Sequence, residues 1–242
     1  NRIVSAQSLN WTETAPGVWK VSVGKPEAYT LLTAAGSQPN RDALKKLGTT
    51  AFPLSKNDIS VRVKNGKPYL RFQLDRGEQL YGFGLNFQTV HQRGKILKLH
   101  VDHYGNKDNG RTHAPVPFYV SSKGYGVFVN SARYIDVYAG TAVRTDSKNP
   151  PPAQDRNTDK NWQAQPYSDA VEMLVPAEGV ELYVFGGPST MEAVRRFNLF
   201  NGGGCLPPRW GLGFTQRVNR LYSDKDVQKE ALEFEEKGYP LD

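Results

Sequence analysis

The chain is poor in sulfur and has no long apolar stretch. Its 242 residues include one cysteine and two methionines. A lone Cys205 excludes an internal disulfide, so packing and hydrogen bonds must hold the fold. Cys205 stands between glycines and Leu206-Pro207-Pro208 with no base beside it in sequence. It reads as a plain buried thiol rather than a nucleophile, and the redox compartment stays open. No apolar run approaches the roughly 20 residues of a membrane-spanning helix. Gly-x-Gly-x-x-Gly is absent, and no glycine loop is followed by Lys-Ser/Thr, so a phosphate cradle has no support. Zinc-finger spacing and RNA-binding signatures are absent too. The net charge of +7 comes from scattered groups such as Arg41, Lys45 and Lys46, or Arg93, Lys95 and Lys98, several of them interleaved with acids. This reads as a solvated basic surface, with neither nucleic acid nor membrane as a partner. Asn1-Arg2-Ile3 offers neither Met nor an apolar leader, which reads as a processed or trimmed end.

What the chain does have is glycine, proline and alternation. There are 23 glycines and 16 prolines, which suits short strands and many turns. A globular chain of this length buries roughly 70% of the surface its unfolded form exposes. Strands are expected at Val18–Val23 and Tyr29–Thr33. The clearest element is residues 59–74, where Ile59, Val61 and Val63 alternate with polar residues and Leu70, Phe72 and Leu74 alternate on the return. Asn65-Gly66 between them is a strong hairpin signal. A second hairpin is expected over 117–130, and further strands at 134–138, 170–175 and 180–185. Many short strands joined by turns indicate an antiparallel sandwich. Residues 36–57 read as irregular, and residues 86–115 carry few apolar residues and all four histidines. Residues 144–169 lack any periodicity, and a loop that long is functional or disordered.

After the strands a helix is expected, with Ser189 and Glu192 as a capping box. Ala193, Phe197 and Phe200 form its apolar face, and Gly202-Gly203-Gly204 is a hinge beyond it. Residues 210–215 read as a buried parallel strand. Ser223 then caps a helix with Asp224 and Asp226 in its first turn, and Gly238 and Pro240 end it. Residues 239–242 look like the entry to another strand. A strand–helix pair cannot bury its own apolar faces, so the chain reads as the front part of a larger α/β protein.

Among candidate sites, His91, His100, His103 and His113 include one His-x-x-His spacing. No regular element is evident to hold such ligands, so these read as polar loop residues and no metal is expected. Gly82-Phe83-Gly84 reads as a tight turn where backbones approach closely. Asp102 and Asp108 could be a carboxylate pair, with no cue to their separation. Gln216, Arg217 and Arg220 lie at the C-terminal end of the expected 210–215 strand, where α/β folds bind ligands.

The succession LYGFG (80–84), PFYVSSKGYGVFVN (117–130), VFGGPSTMEAVRRF (184–197), LPPRWGLGFTQ (206–216), YSDKDV (222–227) and GYPLD (238–242) resembles glycoside hydrolase family 31. That family holds α-glucosidases, α-xylosidases, α-galactosidases and related lyases and transferases. The resemblance covers residues 18–242. It implies a mainly β chain: an antiparallel, galactose-mutarotase-like β-sandwich over 1–187, then a linking helix and glycine hinge over 188–205. Residues 206–242 would be the first βα unit of a (β/α)8 barrel that this chain truncates. It also implies a retaining mechanism, in which one Asp attacks the anomeric carbon and a second acts as acid and then base. Both lie on later barrel strands in the family, and no residue here matches either. Members carry an Asp on a loop reaching from the sandwich over the barrel mouth. Leu99-His100-Val101-Asp102 looks like that stretch, so Asp102 is the expected substrate-binding residue, with His113, Gln216 and Arg217 as further candidates. The implied partners are an oligosaccharide substrate and the remainder of the barrel, and no cofactor is implied. Two departures leave the sugar open. Leu85-Asn86 stands where members often have an acid, and residues 103–115 are rich in His and Asn. A different class of reading is a non-catalytic sugar-binding sandwich, and a third is a metal-stabilised protein built on the histidine loop.

Overall fold

The computed structural model describes residues 3–5, 9–86, 89–101, 111–141, 167–217 and 221–240. The chain divides into two compact units, Asn1–Gly203 and Gly204–Asp242.

In the first unit, twelve strands among the described residues form two six-stranded sheets. One sheet has the order β1 (Ile3–Ser5), β4 (Ile59–Lys64), β5 (Lys67–Gln73), β11 (Tyr167–Leu174), β10 (Ile135–Thr141), β7 (Lys95–Leu99). The other runs β2 (Thr12–Ala15), β3 (Val18–Gly24), β12 (Gly179–Phe185), β9 (Gly126–Asn130), β8 (Ala114–Ser121), β6 (Leu80–Leu85). Every pairing is antiparallel. Period-two alternation decides which face each side chain takes. Ile59, Val61, Leu70 and Phe72 from the first sheet meet Val21, Val127, Leu182 and Val184 from the second in one core cluster. The 59–74 hairpin forms as its alternation predicts, with Asn65 at φ 52° and Gly66 at φ 75° in the turn.

The second sheet is buried on both faces, which is why β9 reads as buried throughout. Phe118, Phe128, Tyr183 and Phe185 on its far face form a second cluster with Leu44, Ala193 and Phe200. These come from helices α2 (Arg41–Lys46) and α3 (Thr190–Phe200). Phe197 stacks on Phe118 with ring centroids 3.8 Å apart. Ser189 caps α3 as expected, accepting from the Glu192 N–H at 3.2 Å. The Glu192 carboxylate instead lies 3.7 Å from Arg196. Arg196 is buried and donates to the carbonyls of Pro16, Leu47 and Gly48, tying the helix to two loops.

Several expectations are corrected. Residues 29–33 are not a strand, because Leu31–Ala35 form helix α1. Thr30 accepts from the Thr33 N–H at 3.3 Å, Thr33 Oγ accepts from the Thr30 N–H at 2.7 Å, and Gly36 closes the helix at φ 60°. This reciprocal cap outweighs the β preference of the threonines. Residues 36–57 are not wholly irregular, since α2 is capped by Asn40 and buries Leu44. Residues 86–115 include β7, whose Leu97 and Leu99 enter the core. Cys205 is exposed rather than buried, because none of the described residues of 204–240 is buried. Of the expected loop at 144–169, residues 167–169 belong to β11 and the rest lies outside the described residues.

In the second unit, Arg209–Leu212 form a turn of 3-10 helix where a strand was expected. No strand is described in this unit to pair with it, and an unpaired strand would leave its backbone groups unbonded. Helix α4 (Asp224–Glu236) has the expected Ser223 cap, with Asp226 returning a bond to the Ser223 N–H at 2.9 Å.

Candidate functional site

The site grows from a bulge in β6. The register between β6 and β8 shifts between Gly82 and Gly84. Three consecutive residues have positive φ: Gly82 at 111°, Phe83 at 62° and Gly84 at 97°. A Cβ on Gly82 would lie 2.7 Å from Phe118 O, and one on Gly84 only 2.0 Å from Ala114 O. The close approach expected for this Gly-Phe-Gly is therefore present, and the glycines permit it. Phe83 is fully buried and stacks on Tyr119 at 5.2 Å. Asn86 closes the bulge by donating from Nδ2 to Gly82 O and Gly84 O at 3.1 and 3.2 Å. A carboxylate at that position has no donor to offer.

The bulge delivers Leu85 to the root of the histidine-rich segment. Thr112 donates its hydroxyl to Leu85 O and its N–H to His100 O, the latter at 3.4 Å. Val101 and Thr112 form an isolated bridge. The two ends of the segment, one leaving β7 and the other entering β8, are thereby held together beside the end of β6. Asp102 lies outside the described residues. His113 is exposed at the bend just before β8. His100 lies against Tyr134 with centroids 4.1 Å apart. His91 bridges to Tyr81 in β6. Burial, then the charges of Arg93 and Lys95, hold its imidazole below the usual pKa. Among the described residues no group of three His, Cys, Asp or Glu side chains could hold a metal ion.

A buried carboxylate steadies the start of β6, and the sequence reading missed it. Glu78 accepts from the Ser121 hydroxyl, from Tyr125 at 2.6 Å and from the Asp75 N–H at 2.9 Å. Arg93 donates to the carbonyls of Asp75, Glu78 and Ser168 at 2.8, 2.6 and 3.2 Å. A single Glu beside a turn carries no periodic signal, and only its partners, 43 and 47 residues away, reveal it.

In the second unit Gln216 donates to Glu230 at 3.3 Å, and Arg217 is exposed. Glu230, Glu233, Phe234, Lys237 and Tyr239 line a hollow on this unit.

Two stacked antiparallel sheets, with helices on one outer face and a bulged edge strand at the loop root, make this unit a β-sandwich. Residues 19–137 match the family model described as the glycosyl hydrolase 31 N-terminal galactose mutarotase-like domain. The family model and the curated relatives together support a place for this chain in glycoside hydrolase family 31. It is 29% identical over 182 residues to the α-xylosidase XylQ of Lactiplantibacillus pentosus, covering 72% of this chain and 20% of that protein. It is 26% identical over 229 residues to an α-xylosidase of Emericella nidulans, covering 88% and 26%. The chain thus spans about a fifth to a quarter of the length of these relatives. Among solved structures, a dextranase of Flavobacterium johnsoniae complexed with glucose superposes with a TM-score of 0.58 at 18% identity, covering 97% of this chain and 25% of that one. A xylosidase from Aspergillus niger gives 0.59 at 12% identity, covering 96% and 36%. These likenesses bear on the fold.

Proposed function

We propose that the chain is the N-terminal portion of a retaining α-glycosidase that releases terminal α-linked glucose, xylose or galactose from oligosaccharides. The observation that carries this reading is the match of residues 19–137 to the family's N-terminal domain. Residues 206–242 act as the first βα unit of a (β/α)8 barrel, and both catalytic carboxylates lie outside this chain. The bare apolar surface of this unit supports that role, with Trp210 67%, Leu212 72% and Val227 50% exposed. Asp102 accepts a hydrogen bond from a sugar hydroxyl, and His113, Gln216 and Arg217 add polar contacts to the substrate. The tied root of the 101–112 segment supports this, because loops on a rigid scaffold are common places for binding residues.

The test compares the intact protein with the chain 1–242 on nitrophenyl α-glycosides of glucose, xylose and galactose. The intact protein is expected to turn over at least one, with the anomeric configuration retained when followed by NMR. The chain alone is expected to be inactive. Turnover by the chain that survives repurification would show that the carboxylates lie within it. Sugar binding without any turnover by the intact protein would favour a non-catalytic module.

A further inference from the structure

Tyr134 is 65% exposed, yet its ring is held. It lies against the His100 ring, with centroids 4.1 Å apart and planes tilted by 34°. Both flanks of the turn that carries it are fixed. On one side Arg133 donates from Nε and Nη2 to the Glu27 carboxylate at 2.5 to 3.1 Å. Its N–H also donates to Ser131 Oγ at 3.2 Å. On the other side Ile135 pairs with Leu99, the residue before His100. His100 donates its own N–H to Lys98 O at 2.7 Å and accepts from the Thr112 N–H. The neighbouring Val101 is 53% exposed. An aromatic face is therefore presented to solvent on a fixed mount, at the root of the segment that carries the proposed substrate-binding Asp102.

Such a face fits a ligand that is apolar on one side and polar around its rim. A pyranose ring has that form. Its axial C–H bonds give one face a weakly positive, apolar character, which the negative face of an aromatic ring attracts. Its hydroxyls point outward and stay free for hydrogen bonds. A ring that is already immobile loses little entropy on binding. We infer that Tyr134, mounted on His100, is a stacking platform for one sugar ring of an oligosaccharide substrate, a ring other than the one whose bond is cleaved. The inference rests on the α-glycosidase reading. The stacked ring is one that a single-ring substrate does not carry, and the test below separates the two.

The test uses Tyr134→Ala and Tyr134→Phe in the intact enzyme. Two substrates are compared: a linear α-linked trisaccharide, and the α-glycosyl fluoride of the same sugar, which carries a single ring. Tyr134→Ala is expected to lose about five- to tenfold in kcat/KM on the trisaccharide, through KM. It should match wild type on the fluoride, and Tyr134→Phe should match wild type on both. A trisaccharide value within about twofold of wild type, or an equal loss on both substrates, overturns the platform. If the wild-type enzyme turns over neither substrate in its glucose, xylose or galactose form, the glycosidase reading fails, and the platform is decided by NMR. Ring signals of Tyr134 in this chain should then shift on titration with isomaltotriose, and unmoved signals at saturating sugar overturn the inference.

Discussion

Tyr125 donates its hydroxyl to Glu78 at 2.6 Å, and Tyr119 is fully buried beside it. Burial, reinforced by the Glu78 charge, pushes both phenols well above their ordinary pKa. Burial and the Glu181 carboxylate raise Tyr183 in the same direction. The sign for stability follows. Above about pH 10 these tyrosines lose protons when unfolded but keep them when folded. Their stabilisation is complete below that pH and is lost as pH rises toward their folded values. Each should cost about 1.4 kcal/mol per pH unit. Melting temperature should drop steeply beyond about pH 10. A near-ultraviolet titration should leave Tyr119, Tyr125 and Tyr183 un-ionised until the chain unfolds. Ionisation of these three at the ordinary pH, with the fold intact, would contradict this burial. Asp102 is the opposite case: the motif order names it, and no alternation or helical spacing does. Under the proposed function, Asp102→Asn in the intact enzyme loses a charge-assisted hydrogen bond of about 1.5–3 kcal/mol, roughly ten- to a hundredfold in kcat/KM. A lowered melting temperature with kcat/KM within about twofold of wild type would assign Asp102 to its own loop instead.

At the scale of elements, legibility in the sequence tracked how local the deciding force is. The β4–β5 hairpin could be read because its alternation and its Asn-Gly turn lie within 16 residues. Helix α3 could be read from one cap and one apolar stripe. Strand β7 could not, because Lys95-Ile96-Leu97-Lys98-Leu99 becomes a strand only by pairing with β10, about forty residues later. Helix α1 misled because two threonines suggest a strand until their side chains are seen to bond each other's N–H groups. The 210–215 segment misled the other way, since its apolar pattern requires a neighbour that the described residues do not include. The same logic separates the elements in stability. The hairpin buries Ile59, Val61, Leu70 and Phe72, whereas α4 buries no residue at all. A helix of 13 residues is marginal without packing. Hydrogen exchange on this chain should therefore show amides of 224–236 exchanging far faster than those of 59–73. Equal protection would mean that α4 is covered in solution.

At the scale of the whole chain, a unit with two core clusters is joined to a unit with none among its described residues. Sandwich residues such as Val61, Phe72, Val127 and Leu182 are wholly excluded from water. In the second unit Leu206 is 94% exposed, Trp210 67%, Leu212 72%, Leu232 57% and Tyr239 62%. Scattered surface apolars are ordinary, but a dense set of large ones on one short segment marks an interaction face. Under the proposed function that face meets the rest of the barrel. If so, the chain on its own should bind a hydrophobic dye such as anilinonaphthalene sulfonate at neutral pH while retaining its sandwich. The expected pattern has three parts. Dye fluorescence is strong for chain 1–242, nearly lost when the chain is cut back to 1–203, and low for the intact enzyme. The cut should leave the cooperative melt of the sandwich almost unchanged, because both of its core clusters lie before residue 204. Strong dye binding that persists in 1–203 would place the exposed apolar face on the sandwich. It would also remove the physical support for assigning residues 206–242 to a barrel.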